Sequence, residues 1–184
     1  MILPVVTYGV PVLRKVAKEV EKDMPNLKEL IDNMFETMYR SDGVGLACPQ
    51  VNKSLRMFVI DADPMSEEDE SLIGFKKVFI NPKITEFSKE TWLFNEGCLS
   101  VPGIREDVRR PEKIRIEYYD ENFEFHDEEF DGIKARVVQH EYDHLEGKLF
   151  TDKVSPIKKR ILKGRLNSIM KGKFSTTYKT LSLA

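Results

Sequence analysis

Between Asn26 and Tyr39 the apolar residues Leu27, Leu30, Ile31, Met34, Phe35 and Met38 recur at intervals of three and four, which places them on one face of a helix. Asp23 and Pro25 supply start signals just ahead of it, and Gly43, Gly45 and Pro49 end the pattern. A β-rich middle follows, with strands expected over Arg56 to Asp61, Val78 to Pro82, Thr91 to Phe94 and Lys113 to Tyr119. In the last of these Ile114, Ile116 and Tyr118 alternate with Arg115, Glu117 and Tyr119. The strands read as antiparallel or mixed. The run Asp61 to Glu70 holds six acids and a proline and reads as a solvated loop without a function. After Gly132 the helical period returns through Ile133, Val137, His140 and His144, with Gly147 as a stop signal. A third helix is signalled by Ser155 as N-cap and Pro156 in its first turn, followed by Ile157, Ile161, Leu162, Leu166, Ile169 and Met170. From Lys173 onward the Ser/Thr-rich end reads as frayed.

No internal repeat and no dividing linker interrupts this order. The expectation is one α+β domain over residues 1–172, its sheets packed around the helix that follows Gly132, with an N-terminal helix, a C-terminal helix over 155–172 and a flexible tail over 173–184. Composition narrows the class. With 184 residues, 41% hydrophobic and 33% charged, the chain is an ordinary globular domain, and disorder, collagen and low complexity are excluded. Such a length buries roughly 70% of the unfolded surface, so a disulfide framework is not needed, in keeping with only two cysteines. No apolar run approaches the roughly 18 residues of a membrane span. Met1 to Leu13 lacks a basic leader and is broken by Pro4, Gly9 and Pro11, so it does not read as a secretory signal; a reducing cytosol is the expected compartment.

The net charge of −2 hides an asymmetry: residues 1–152 carry 20 basic against 31 acidic side chains, and residues 153–184 carry nine basic and no acidic ones. A uniformly basic nucleic-acid binder is excluded, while a local basic contact stays open.

The sharpest chemical signal is His140-Glu141-Tyr142-Asp143-His144, an HExxH sequence within the expected helix. Residues four apart share a face about 5–6 Å apart, so two imidazoles can converge on one metal ion with Glu141 bordering the same space. A third ligand has to come from elsewhere. Beyond His144 there is no further histidine and only Glu146 and Asp152 as acids, so the candidate lies upstream at Cys98, a soft donor preceded by Gly97. Three protein ligands would leave the fourth position to water. If Cys48 joined them, the metal would instead close a structural Cys2His2 module without catalysis. A metalloprotease built on HExxH lacks its downstream ligand here.

Gly43-Val44-Gly45-Leu46-Ala47-Cys48-Pro49-Gln50, Glu96-Gly97-Cys98-Leu99-Ser100 and Gln139-His140-Glu141-Tyr142-Asp143-His144-Leu145 resemble, in order, the three motifs of the peptide deformylases. The resemblance covers about residues 1–170 and departs at Cys48, where the family usually has alanine. It implies that Cys98, His140 and His144 hold one divalent metal, iron in the cell and zinc, nickel or cobalt in some preparations. It further implies removal of the formyl group from the N-terminal methionine of new polypeptides in the bacterial cytoplasm. Glu141 would then act as base and acid, and the Gln50 amide and the Leu99 backbone N–H would face the oxyanion.

For the substrate, Ile133 and Val137 share the face of His140 and would wall an apolar pocket suited to methionine. The resemblance adds Val44 and Phe94 to that pocket. It gives Gly43, Gly45, Glu96, Gly97 and Gly103 as further contacts, some through backbone, and Arg105 as another. Asp143 and Gln139 would support the ligands from behind, and His126 is assigned no role. Lys158, Lys159, Arg160, Lys163 and Arg165 make the last helix either a solvated face or a contact with ribosomal RNA, separable from turnover by removing the residues after Asp152. A monomer is favoured.

Overall fold

The computed structural model describes residues 1–183. In chain order it has β1 (Val5–Val6), α1 (Leu27–Arg40), β2 (Gly45–Ala47), β3 (Met57–Asp61), β4 (Lys76–Phe87), β5 (Thr91–Cys98), β6 (Val101–Pro111), β7 (Lys113–Tyr119), β8 (Phe125–Asp131), α2 (Gly132–Leu145), α3 (Pro156–Met170) and β9 (Thr180–Leu181). Five strands form an antiparallel sheet in the order β2-β3-β4-β7-β8, β5 and β6 form a separate antiparallel hairpin, and β1 pairs with β9 in parallel.

Strand β3 explains how two helices come to frame one sheet. Its residues alternate between faces, and both faces are covered: Met57 and Val59 pack with Leu30, Ile31, Met34 and Met38 of α1, whereas Phe58 and Ile60 pack with Ile133, Val137 and Val138 of α2. A strand buried on both sides has to be apolar throughout, as Met57–Ile60 is. On the α2 side the Phe79 ring is the hub of an aromatic group, stacked on Phe58, tilted against Tyr118 with centroids 4.3 Å apart and edge-on to Phe130. The α+β architecture expected from the pattern is the one observed.

Helix α1 starts at Leu27, the first residue of the apolar spacing, and Asn26 ahead of it adopts a left-handed conformation at φ 61° that turns the chain into the helix. Ser155 caps α3 as expected, its hydroxyl accepting from the Lys158 N–H at 3.3 Å. The acidic run after Asp61 contains two short 3₁₀ turns, the second of which buries Leu72. Strand β6 is the element the pattern conceals. Five charged residues in Val101–Pro111 hide an alternation in which Ile104, Val108 and Arg110 all point inward.

The end of the chain also differs from expectation. Instead of fraying from Lys173, it returns to the body: Phe174 packs with the cluster around Val101 and Ile104, and β9 lies beside β1, with Val5 N–H donating to Lys179 O at 2.9 Å. Two exposed ends gain partners in this way, an outcome that composition does not encode. Ala184, the last residue of the expected tail, lies outside the described residues. Within α3, Leu162 and Ile169 are buried, but Ile157 and Ile161 are 74% and 64% exposed among the basic side chains. Among the described residues, no helix is long and apolar enough to cross a membrane.

Candidate metal centre and cleft

Helix α2 delivers His140, Glu141 and His144, and the end of β5 delivers Cys98. The β5–β6 register shifts between Gly97 and Cys98, and Cys98 pairs with Val101 at the end of the hairpin. One donor atom from each of Cys98, His140 and His144 lies within 4.8 Å of the others, and the Cys98 Sγ to His144 Nε2 separation is 3.4 Å. A thiolate and two imidazoles suit zinc or ferrous iron, and three side chains leave a position open.

Glu141 is 4% exposed, and burial pushes its carboxyl up to about 7. Its Oε2 has no hydrogen-bond partner, an acceptor suited to a solvent molecule in the site, which fits a metal-bearing centre. Gly45 makes room for this carboxylate. A Cβ at that position would stand 2.5 Å from Glu141 Oε1, so only glycine allows the contact.

Gln50 is fixed by a 3₁₀ turn over Cys48–Val51. The Ala47 N–H donates to its Oε1 at 2.8 Å, which sets the amide orientation and leaves Nε2 facing Ser100 Oγ at 3.2 Å and Cys98 Sγ at 3.4 Å. Gln50 is therefore a buried donor beside the thiol. Cys48 points elsewhere: it is fully buried with its sulfur 3.4 Å from Met34 Sδ, and burial holds the thiol protonated. It does not belong to the three-donor set, so the closed Cys2His2 reading loses its fourth ligand.

Behind the histidines stands a buried ionic network that sequence reasoning missed. Glu96 Oε1 accepts from His140 Nδ1 at 2.8 Å and Arg110 Nη2 at 2.9 Å, while Oε2 accepts from Arg110 Nε at 2.7 Å and Arg136 Nη1 at 2.8 Å. Burial would raise the Glu96 carboxyl, but the hydrogen bonds from His140 and Arg110 prevail and hold it well below the usual carboxylate range. Glu96 thus orients His140, with its oxygens committed, rather than meeting substrate. Asp143 accepts from Arg110 Nη1 at 2.7 Å, and Gln139 donates to Pro111 O at 3.0 Å; neither reaches a histidine. The one available signal for Arg110 was its place two residues after Val108 on the inward face of β6.

A cleft of about 540 Å³ opens beside the donors, lined by Gly43, Val44, Gly45, Gln50, Gly97, Cys98, Leu99, Gly103, Arg105, His140 and Glu141 among others. Arg105 is pinned at its rim by two bonds to Asn95 at 2.9 Å. Phe94, Ile133 and Val137 do not line the cleft; they form with Val44 an apolar cluster behind it, in which Ile133 and Val137 are buried. The cleft also has a wall that no motif announced, Ser175 to Tyr178. Burial pushes Tyr178 up to about 12, so its phenol stays a donor, and it donates to Leu99 O at 2.7 Å.

The family model for polypeptide deformylase matches residues 2–160. The chain belongs to the polypeptide deformylase family. It is 54% identical to a peptide deformylase of Christiangramia forsetii over 97% of this chain and 95% of that one. It is 55% identical to one of Flavobacterium psychrophilum over 97% and 96%. Among solved structures, a Plasmodium falciparum peptide deformylase in complex with inhibitor superposes with TM-score 0.80 at 40% identity, covering 91% of this chain and 99% of that one. A Thermotoga maritima peptide deformylase does so with TM-score 0.77 at 44% identity, covering 85% and 99%. Deformylases are metalloenzymes, and Cys98, His140 and His144 form a donor set that could hold a metal ion.

Proposed function

We propose that this chain hydrolyses the formyl group from the N-terminal methionine of newly made polypeptides, releasing formate, with Cys98, His140 and His144 holding one divalent metal. Ferrous iron is the proposed occupant in the cell, and zinc, nickel or cobalt are chemically suited to the same donors. The observation that carries the reading is Glu141, buried against Gly45 with one oxygen unpartnered and flanked in sequence by a metal ligand.

When bound, the cation supplies an activated water near neutral pH. The rest belongs to the chain. Glu141, with its carboxyl near 7, takes the proton of the attacking water and returns it to the departing amine. The tetrahedral oxyanion is met by Gln50 Nε2 and the Leu99 backbone N–H, and each preorganised donor of this kind contributes about 3 kcal/mol. Glu96 keeps His140 in the tautomer whose outer nitrogen faces the metal position.

Substrate binding uses the sheet edge. Strand β2 is paired on one side only, by β3, and Gly43 to Gly45 line the cleft, so an extended peptide can add there through main-chain hydrogen bonds and tolerate varied side chains. Gly97 and Gly103 offer further backbone along the cleft, with Arg105 at the rim. Val44, shared by the cleft and the apolar cluster, marks the entry for the methionine side chain toward Phe94, Ile133 and Val137. A monomer working in the cytoplasm on chains leaving the ribosome fits this chemistry, with the basic helix α3 as the ribosome-facing surface.

The test is formate release from a formyl-Met peptide with iron loaded anaerobically, beside Glu141→Gln. The variant should retain one metal per chain and lose about 10²–10⁴ of turnover. Metal bound by the wild type without formate release would end the reading.

A further inference from the structure

Three strands of contact bring the end of the chain to the site. Tyr178 donates its hydroxyl to Leu99 O at 2.7 Å. Its neighbours Lys179 and Leu181 accept from Val5 and Thr7 N–H at 2.9 and 3.0 Å, and the same N-terminal stretch donates from Tyr8 N–H to Ser100 O at 2.7 Å. Phe174 anchors the approach to this segment in the cluster of Val101, Ile104 and Ile169. The segment and the turn Cys98–Leu99–Ser100 are therefore stitched together directly through Tyr178 and indirectly through the N-terminal strand.

The turn carries three groups of the site. It holds the thiol ligand, the Leu99 N–H assigned above to the oxyanion, and the Ser100 hydroxyl that accepts from Gln50. Leu99 and Ser100 form the two-residue hairpin turn between β5 and β6, closed by the pairing of Cys98 with Val101, so their peptide groups lie beyond the ladder. The Leu99 carbonyl has its partner in Tyr178. That bond holds the Leu99–Ser100 peptide plane, and through the two backbone torsions of Leu99 it constrains the adjoining plane that carries the Leu99 N–H.

We propose that Tyr178 is a positioning residue for the deformylation reaction, its hydroxyl fixing Leu99 so that the backbone N–H of the Cys98–Leu99 turn stays aimed at the developing oxyanion. The C-terminal segment is then a working wall of the cleft and no mere appendage. The inference rests on the reading of Leu99 as an oxyanion donor, and its test separates the two.

Tyr178→Phe removes the hydroxyl and keeps the ring, and Tyr178→Leu removes both. With formyl-Met-Ala-Ser as substrate, both variants should lower kcat by about threefold to tenfold, the range of one hydrogen bond, with KM within twofold and metal content unchanged. Hydrogen exchange at the Leu99 amide should quicken by a similar factor in both. If Tyr178→Phe keeps wild-type kcat and Leu99 exchange, the proposal fails. Impairment by Tyr178→Leu alone also overturns it, because ring packing would then be the whole effect, as does a fall in kcat that merely tracks lost metal or lost folded fraction. Quicker Leu99 exchange with unchanged kcat would retain the bond but deny Leu99 its part in catalysis, and so would sink the proposal through the reading beneath it.

Discussion

Gly45 shows how much function one missing side chain carries. Adding a Cβ would put it 2.5 Å from Glu141 Oε1 and 2.8 Å from its Cγ and Cδ, so the carboxylate, already buried, has to swing away. Gly45→Ala should therefore fold and bind metal while losing about 10² in kcat/KM, the scale of a 1 Å displacement of a catalytic group. Steady-state formate release with metal analysis on the same sample checks it. Near-normal turnover would mean that Glu141 has room that the packing denies. The histidines, Glu141 and their shared face were legible in the sequence because helical spacing is local. The clash at Gly45 was not, since it joins two segments almost a hundred residues apart that only the fold brings together. Cys48 belongs to the same lesson, because a thiol near a motif becomes a core residue once its sulfur is seen against Met34.

Among the elements, α3 divides into two roles. Leu162 and Ile169 close the cluster formed by Val101, Ile104, Val108, Leu149 and Phe150, while Lys159, Arg160 and Lys163 stand exposed. Cutting the chain after Asp152 would remove the buried residues with the basic ones, along with β9, so the helix is not separable from the body in the way its charge suggested. Charge reversal is the cleaner probe. Replacing Lys159, Arg160 and Lys163 by Glu should leave formyl-peptide turnover within twofold and weaken ribosome co-sedimentation about tenfold or more at low salt, the difference shrinking as salt rises. Equal sedimentation of both proteins would dismiss the basic helix as a ribosomal contact. The amphipathic α1 and the alternating β7 were plain from periodicity, whereas β6 was not. Arg110 takes an inward position there, and a charge on the core face defeats any pattern rule until its carboxylate partners on β5 and α2 are known.

At the level of the molecule, the three donors tie the end of the β5 strand to α2, two elements also joined by the contacts of Glu96 with His140 and of Arg136 with Trp92. A metal seated on them binds the folded chain and not the unfolded one, so free metal at about a thousand times its Kd adds roughly 4 kcal/mol. Stripping the metal with a chelator should lower Tm by roughly 10 °C, and readdition should restore it. A calorimetric scan indifferent to the chelator would show that the donors do not share an ion. The α+β class was readable from the order of elements, but the meeting of the two ends of the chain was not, because β1 and β9 are two residues each and carry no periodicity of their own.

The Glu96 network constrains how such a chain can change. One carboxylate answers two guanidiniums and an imidazole, and Arg110 passes the same charge on to Asp143. Removing Glu96 strands Arg136, which has no other carboxylate partner, at a cost of about 3–5 kcal/mol, and losses at neighbouring members of the network do not add. Drift or redesign in this part of the protein therefore has to proceed by coordinated exchanges, several positions at a time, while the exposed faces of the same strands remain free to vary one by one.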